Sequence, residues 1–370
     1  MVGGTDHAAR FSYSIPCHLF LNLHAIRLLA MKPKVTQDQP SRKRPTSYDV
    51  AQLAGVSQSA VSRTFRPGKS VSDDKRKAIL KAAAKLGYEP NVFASSLITK
   101  RSNLVAVLIS NLTNLYYPQV LAELTQRLDA KGVRVLLFAL QNESDVGNVL
   151  PQIWRYRVDG AIAAAHLSAE HLALFERHRV PVVLYNRSAE SGAVSSVFCD
   201  SIGGERLLVD RLVAAGHRRF VILSGPADSY VGNQRVDGAK SRLRHHGLDA
   251  EVFSGRFDHE SGAEGLRRAL ALPERPDALI CANDLMAIGA MDAARDEFGL
   301  SVPNELSIVG FDGVGPAAWP SYRLTTVRQP VRRMTDAAVT MLLERIDNHE
   351  LPPEVRSFAG SLIEGRSARL

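Results

Sequence analysis

The chain has few cysteines and no long uninterrupted apolar run. Its 370 residues include Cys17, Cys199 and Cys281, which stand far apart and outside any CxxC or Cys/His metal spacing. This pattern argues against a disulfide framework or a zinc site and favours a reducing compartment. No stretch reaches the roughly 20 apolar residues that a membrane-spanning helix needs. We therefore expect no membrane partner.

Sequence signatures of common enzyme classes are missing too. The sequence holds no GxGxxG, Walker, GxSxG or HExxH motif. The carboxylates at Asp284 and Asp312 bind ligands as readily as they catalyse. We predict that the protein is not an enzyme, and that it uses neither a cofactor nor a metal.

The first 44 residues carry few signals of a folded domain. Residues 15–30 are moderately apolar, but Pro16, His18 and Arg27 interrupt them, unlike the core of a signal peptide. We interpret residues 1–44 as a disordered or dispensable extension, within which residues 1–30 are upstream readthrough or dispensable. The basic run that begins at Arg42 is expected to touch phosphates.

The net charge of +8 is confined to one part of the chain. Residues 41–102 contain 13 Lys and Arg against 4 Asp and Glu, whereas residues 103–370 contain 29 against 32. A small basic segment before a nearly neutral body favours a nucleic-acid-binding head attached to a body with another task.

Residues 47–66 have the spacing of two short amphipathic helices joined by a tight turn. Apolar residues repeat at helical intervals on both sides of Gly55, which permits a sharp reversal. Ser57 stands where a helix N-cap belongs. The second helix is predicted to expose short or base-reading side chains: Gln58, Ser59, Ser62 and Arg63. This pattern indicates a DNA-reading helix-turn-helix.

The head is predicted to span residues 45–89. Ser72 can cap a third helix that runs from Asp73 to Leu86 and ends before Gly87. Residues 90–102 then form a linker, in which Asn91 to Leu97 could form two helical turns that are too short to be stable alone.

From Leu104 onwards, short apolar runs alternate with amphipathic helices. This alternation predicts parallel sheets covered on both faces, and its length predicts two α/β lobes. The predicted strands are 104–110, 133–139, 159–164, 181–185, 219–224, 278–281 and 306–311. The predicted helices are 117–131, 145–156, 169–178, 201–215, 231–247, 259–271 and 284–298.

Over residues 46–370 the chain resembles the LacI/GalR family of bacterial transcription regulators. The matching segments are YDVAQLAGVSQSAVSR (48–63), LGYEPNVFASSL (86–97), RVDGAI (157–162), VVLYNR (182–187), AGHRRFVILSGP (215–226), ICANDLMAIGAMDAA (280–294), SIVGFDG (307–313) and LTTVRQP (324–330). The resemblance implies an all-α helix-turn-helix head and a two-lobed body similar to type I periplasmic binding proteins, with parallel sheets in Rossmann-like lobes. The expected body is 103–370, with lobe 1 near 103–200 and 331–355 and lobe 2 near 201–330 and 356–370.

The resemblance implies that the second helix of the head enters the major groove. Gln58 and Ser59 occupy the family positions that set operator preference, and Gln58 suits adenine as Arg63 suits guanine. Leu97 matches a linker leucine that wedges into the minor groove, although the basic residue often found before it is absent here. The implied DNA-contacting residues are Tyr48, Ser57, Gln58, Ser59, Ser62, Arg63, Asn91 and Leu97.

Polar residues follow several predicted strands, at the edge where parallel α/β sheets bind ligands. Carboxylates and amides there suit a hydroxyl-rich ligand, and an arginine suits its oxygens. The resemblance supports Asp200, Arg235, Asn283 and Asp312 most directly. The expected effector-contacting residues are Asn114, Tyr116, Asn186, Arg187, Asp200, Arg235, Phe257, Asn283, Asp312 and Gln329.

We therefore predict a transcriptional repressor that binds a palindromic DNA operator and is controlled by a sugar or sugar derivative. A homodimer is expected, because residues 367–370 are not preceded by a heptad helix of the kind that forms tetramers in some family members. The predicted location is the cytoplasm, at the nucleoid. The alternative is a sugar-binding or sugar-modifying protein whose basic head only tethers it to DNA.

Overall fold

The computed structural model describes residues 44–65, 71–89, 101–142, 145–188 and 193–370. These residues belong to two units, a helical head and an α/β body, which divide between Pro90 and Asn91. The predicted DNA contacts Asn91 and Leu97 lie outside the described residues, as does the predicted arm up to residue 43. None of the helices in the described ranges combines the length and the apolar character needed to cross a membrane.

The head contains three helices around a small apolar core. Val50, Val61 and Ile79 are completely buried, one on each helix. The Phe65 and Tyr88 rings meet edge to face with centroids 5.8 Å apart, which extends this core towards the end of the head. The helices are α1 (Ser47–Ala54), α2 (Gln58–Thr64) and α3 (Asp73–Leu86).

The body begins with alternating strands and helices that form lobe 1. These elements are β1 (Leu104–Ser110), α4 (Tyr116–Asp129), β2 (Arg134–Leu140), α5 (Val146–Tyr156), β3 (Gly160–Ala164), α6 (Ala169–Arg177), β4 (Val182–Tyr185) and β5 (Ser195–Cys199).

The chain then crosses into lobe 2 and repeats the pattern. The elements of lobe 2 are α7 (Ser201–Ala214), β6 (Phe220–Ser224), α8 (Tyr230–His245), β7 (Ala250–Ser254), α9 (His259–Leu270), β8 (Ala278–Cys281), α10 (Asp284–Asp296), β9 (Ser307–Asp312), a 3-10 turn (Gly315–Ala318) and β10 (Thr325–Arg328). The last elements are α11 (Val331–Asp347), β11 (Val355–Phe358) and β12 (Ser361–Ile363).

Each lobe is built on one sheet. The first has the order β11-β5-β4-β3-β1-β2, and all neighbouring strands are parallel. The second has the order β12-β10-β9-β8-β6-β7, in which only β12 runs antiparallel to its neighbour. Since α11 and β11 return to lobe 1 and β12 belongs to lobe 2, the described chain crosses between the lobes three times.

Helices cover both faces of the lobe 1 sheet, which explains the unbroken apolar sequence of β1. Val107 and Ile109 face a core that includes α4 residues, whereas Ala106 and Leu108 face a second core with α5 and α6. A strand buried on both faces has no solvent side and so needs no polar alternation. This arrangement confirms the predicted pair of parallel α/β lobes.

Several elements were not predicted from the sequence. The strands β5, β7, β10, β11 and β12 and the helix α11 are all absent from the predicted set. The third predicted boundary between the lobes, at residues 355 and 356, falls inside β11. The chain in fact returns to lobe 2 after Phe358, because β11 pairs with β5 through Phe358 and Cys199.

Helices α9 and α10 pack closely at glycines, which yields a stability prediction. A Cβ on Gly289 would overlap the carbonyl oxygen of His259, whereas a Cβ on Gly315 would meet no atom within 4 Å. Gly289→Ala should destabilise the body by about 1–3 kcal/mol because backbone must shift to admit the methyl group. Thermal unfolding of the full chain checks this. Gly315→Ala is the control, and equal midpoints for the two variants would contradict the prediction.

Candidate DNA-reading head and effector cleft

The turn between α1 and α2 is built by local hydrogen bonds. Thr46 and Asp49 form a capping box at the start of α1, with the Thr46 N–H donating to Asp49 Oδ2 at 2.7 Å. Gly55 ends α1 at φ 66°, in the left-handed region that glycine adopts without strain. Ser57 Oγ accepts from the Ala60 N–H at 3.3 Å and caps α2. The predicted roles of Gly55 and Ser57 in the turn are confirmed.

The predicted DNA-contacting side chains of the head differ in exposure. Tyr48 is 72% exposed, and Ser57, Ser59 and Arg63 are exposed as well. Ser62 is half-buried.

Gln58 is also half-buried, so the prediction of four exposed side chains is wrong for Gln58 and Ser62. The Gln58 amide donates from Nε2 to Ser47 Oγ at 3.2 Å, a contact between two helices that periodicity within α2 does not reveal. Ser72 precedes α3 but makes no side-chain cap bond, contrary to the role predicted for it.

A cavity of about 350 Å³ lies between the two lobes of the body. That volume falls in the range of small-molecule sites in proteins. Its walls come from the carboxyl ends of strands in both sheets, where a parallel α/β fold exposes its loops. The predicted effector residues that line it are Asn114, Tyr116, Asn186, Arg187, Arg235, Phe257 and Asp312.

A buried ion pair lies at the lobe 2 side of this cleft. Arg235 on α8 donates to Asp312 Oδ1 at 2.7 Å, and each side chain is no more than 3% exposed. Gln329 Nε2 donates to the same oxygen at 2.7 Å. The guanidinium also lies 4.0 Å above the Phe311 ring and donates to the Ala282 carbonyl. Burial raises the pKa of Asp312, against the opposing effect of the Arg235 charge.

Phe257 follows β7, and contacts to both its backbone and its ring fix its position. Its φ of 62° is unusual for an aromatic residue. Asn283 Nδ2 donates to the Phe257 carbonyl at 3.0 Å. The ring packs directly on Gly225, where a Cβ would overlap it. The ring therefore occupies a fixed position at the cleft.

Asp200, Asn283 and Gln329 were predicted to contact the effector but do not line the cavity. Asp200 Oδ1 accepts from the Gly203 N–H at 2.8 Å and caps α7. Asn283 Oδ1 caps α10 by accepting from the Met286 N–H at 3.0 Å. Asn283 and Gln329 thus lie behind the cleft, where they hold Phe257 and Asp312 respectively.

Tyrosines and an arginine form the lobe 1 wall. Arg187 donates to the Tyr117 hydroxyl at 3.3 Å, and the Tyr117 ring meets the Tyr116 ring edge to face. The hydroxyls of Tyr116 and Tyr185 lie 3.4 Å apart, and burial raises the pKa of both. Asn186 has a φ of 56°, a conformation that asparagine tolerates better than most residues.

Several cleft residues were not predicted. The cavity is also lined by Gln141, Asn142, Asp228, Ser229 and Arg256. Gln141 and Asn142 follow the predicted strand β2, so the rule used for the other strand ends would have found them. Arg256 follows β7, a strand whose short, partly polar sequence was not recognised.

Glu205 is another polar residue that the sequence did not single out. It lies on α7, is 1% exposed, and neither carboxylate oxygen has a hydrogen-bond partner. Burial raises its pKa to about 8, although the Arg235 charge opposes the shift. Asp284 is buried too, with a pKa of about 7, but it accepts hydrogen bonds from Thr326 and from the Val314 N–H.

Comparisons with known proteins match both parts of the chain. Residues 46–91 match the family described as bacterial regulatory proteins, lacI family, and residues 209–368 match a periplasmic binding protein-like domain. The repressor PurR of Proteus mirabilis is 30% identical over 329 residues, which cover 87% of this chain and 96% of PurR. The chain belongs to the LacI family.

Solved structures of LacI-family proteins agree with this assignment. The lac repressor dimer bound to operator and the anti-inducer ONPF has a TM-score of 0.80 at 29% identity, covering 89% of this chain and all of that one. The CelR–cellobiose complex has a TM-score of 0.66 at 28% identity, covering 88% and 100%. The protein is accordingly a DNA-binding transcriptional regulator with a ligand-binding domain, not an enzyme.

One side-chain arrangement in this LacI-family body could be mistaken for a catalytic triad. The Ser307 hydroxyl lies 3.1 Å from His217 Nε2, and His217 Nδ1 lies 3.5 Å from Asp277. Ser307 and His217 are completely buried, and Ser307 Oγ also accepts from the Arg369 N–H at 3.0 Å. These contacts attach the C-terminal segment to lobe 2.

The buried Glu205 carboxyl predicts a pH-dependent stability. Its folded pKa of about 8 exceeds the ordinary value of about 4.3 in an unfolded chain. The folded state therefore binds more protons between these values, and stability falls as the pH rises through this window. Glu205→Gln should remove that slope, so its melting temperature should exceed the wild-type value by several degrees at pH 8.5.

Thermal melts from pH 5 to 9 test this expectation. Glu274→Gln, at an exposed position in lobe 2, is the matched control and should follow the wild type at every pH. Parallel pH profiles for wild type and Glu205→Gln would show that Glu205 titrates normally.

Proposed function

We propose that the protein represses transcription by binding a palindromic operator as a homodimer, and that a sugar or sugar derivative in the interlobe cleft controls this binding. The observation that supports effector control most directly is a cleft of about 350 Å³, in which a hydrogen bond from Gln329 holds the Arg235–Asp312 pair in place. Fixed donors and acceptors in a concave site favour binding of a small polar molecule.

The cleft chemistry supports a sugar-like effector. Asp312 accepts hydrogen bonds from hydroxyls, and the amides of Asn114 and Asn186 can donate or accept. The ring of Phe257 offers an apolar face for the carbon side of a sugar ring. CelR was solved in complex with cellobiose, a disaccharide, which favours this ligand class for the present cleft as well.

Binding in this cleft would bridge the two lobes. Asn114 and Arg187 belong to lobe 1, and Arg235 and Asp312 to lobe 2, so one ligand contacting both sets would favour a closed arrangement. If closed and open bodies differ in operator affinity, effector and operator affinities change by the same factor. Through this reciprocity, binding of the effector would change the affinity of the protein for its operator.

In the head, we assign base reading to Gln58, Ser59 and Arg63. Tyr48, Ser57, Ser62 and Asn91 are assigned to further DNA contacts, and Leu97 to the minor groove. The proposed limits are those predicted from the sequence: head 45–89, linker 90–102 and body 103–370. The proposed location is the cytoplasm, at the nucleoid.

A gel-shift experiment with selected operator DNA tests the DNA-reading proposal. Arg63→Ala should weaken binding to the best operator by about 1–3 kcal/mol and relax preference at one position of each half-site. Lys77→Ala, an exposed change on α3, should weaken all sequences alike or have no effect. A single half-site should bind much more weakly than the palindrome if a dimer binds. Absence of sequence preference in the wild type would instead favour a basic tether.

A thermal-shift screen tests the effector proposal, with cellobiose, other disaccharides, hexoses and hexuronic acids as probes. A ligand at 100 times its Kd adds about 2.7 kcal/mol to stability, so its shift is measurable. Arg235→Gln should abolish the shift, and it should also lower the melting temperature without ligand because Asp312 is left buried and unpaired. Arg206→Gln, exposed on α7, should retain the shift. An unchanged shift in Arg235→Gln would place the effector elsewhere.

A further inference from the structure

One hydrogen bond ties the first turns of α1 and α2 together. Gln58 Nε2 donates to Ser47 Oγ at 3.2 Å, across eleven positions of sequence. Ser47 and Gln58 are both half-buried, in contrast to the exposed Ser59 and Arg63 on α2. The amide of Gln58 is therefore held at one end by the protein before DNA is present.

The contact with Ser47 determines which hydrogen-bonding groups of the Gln58 amide are still available to a DNA base. An amide nitrogen carries two hydrogens, and Ser47 takes one of them. One N–H and the carbonyl oxygen remain, which match the adjacent acceptor and donor on the major-groove edge of adenine. Guanine presents two acceptors at the same positions. The remaining carbonyl oxygen would face one of those acceptors, so guanine is disfavoured.

We propose that Ser47 is a specificity-determining residue that acts through Gln58, orienting its amide to favour adenine over guanine. The proposal rests on the proposed base-reading role of Gln58. Ser47 is then a positioning residue, not a DNA contact, and its effect is confined to the single base position that Gln58 reads.

Ser47 can be changed without removing the helix cap of α1. The cap and its partner are Thr46 and Asp49, whose reciprocal hydrogen bonds do not involve Ser47. Ala is a strong helix former and Ser47 is the first helical residue. Ser47→Ala therefore removes the hydroxyl that holds Gln58 and keeps the local backbone.

The experiment selects operator half-sites from random duplex DNA with the full chain and sequences the bound pool. Wild type should show an adenine preference at the Gln58 position. Ser47→Ala should reduce the preference for adenine over guanine there by about three- to ten-fold, the ordinary value of one neutral hydrogen bond. Preferences at the other positions should not change. Ser47→Thr keeps the hydroxyl and should behave like the wild type.

A double-mutant cycle separates positioning from direct contact. Gln58→Ala should abolish the preference at that position, and adding Ser47→Ala to it should have no further effect. Ser72→Ala is the matched control, because the Ser72 hydroxyl makes no cap bond in the same head. It should leave every preference unchanged.

Three results would overturn the proposal. A change at a different base position in Ser47→Ala, persisting in the Gln58→Ala background, would make Ser47 a direct contact. An unchanged adenine preference in Ser47→Ala would mean that the hydrogen bond does not affect reading. If Gln58→Ala alone changes no preference, the base-reading role of Gln58 fails and the proposal fails with it.

Discussion

The cleft depends on the ion pair between Arg235 and Asp312. Burying two charges costs several kcal/mol for each ion, and their attraction offsets this only when further hydrogen bonds complete the geometry. Here Gln329, the Ala282 carbonyl and the Phe311 ring supply those contacts. These three contacts and Arg235 itself come from four separate parts of lobe 2, so correct folding of the whole lobe is required before the pair can form.

The central parts of both sheets could be predicted from sequence because burial on both faces leaves an uninterrupted apolar run. The run LVAVLIS of β1 is the clearest case, since each residue after the first is buried. The missed strands include β7, β11 and β12, which lie at sheet edges. Their short, partly polar sequences are held in place by pairing with a neighbouring strand, and that pairing is not encoded within the segment itself.

Sequence analysis predicted those cleft residues whose place in the site depends mainly on their position relative to a strand end. Six of the seven predicted residues that line the cavity lie at or just after strand ends, which meet at one edge of each parallel sheet, whereas Arg235 lies on α8. The same loops also begin helices, so Asp200 and Asn283 use their side chains as caps. Sequence spacing places a residue at the strand end without deciding between these two uses. The unpredicted contact of Gln58 with Ser47 has a similar origin, since it joins two helices.

The ion pair also determines what a ligand would gain at the cleft. Asp312 Oδ1 accepts from both Arg235 and Gln329, whereas Oδ2 has no hydrogen-bond partner among the described residues. Asp312 lines the cavity, so a ligand hydroxyl that donates to Oδ2 finds an acceptor already fixed in direction. A preorganised acceptor lowers the entropic cost of binding. A larger part of the ligand's interaction energy then remains to favour lobe closure, in which Asn114 and Arg187 of lobe 1 contact the same ligand.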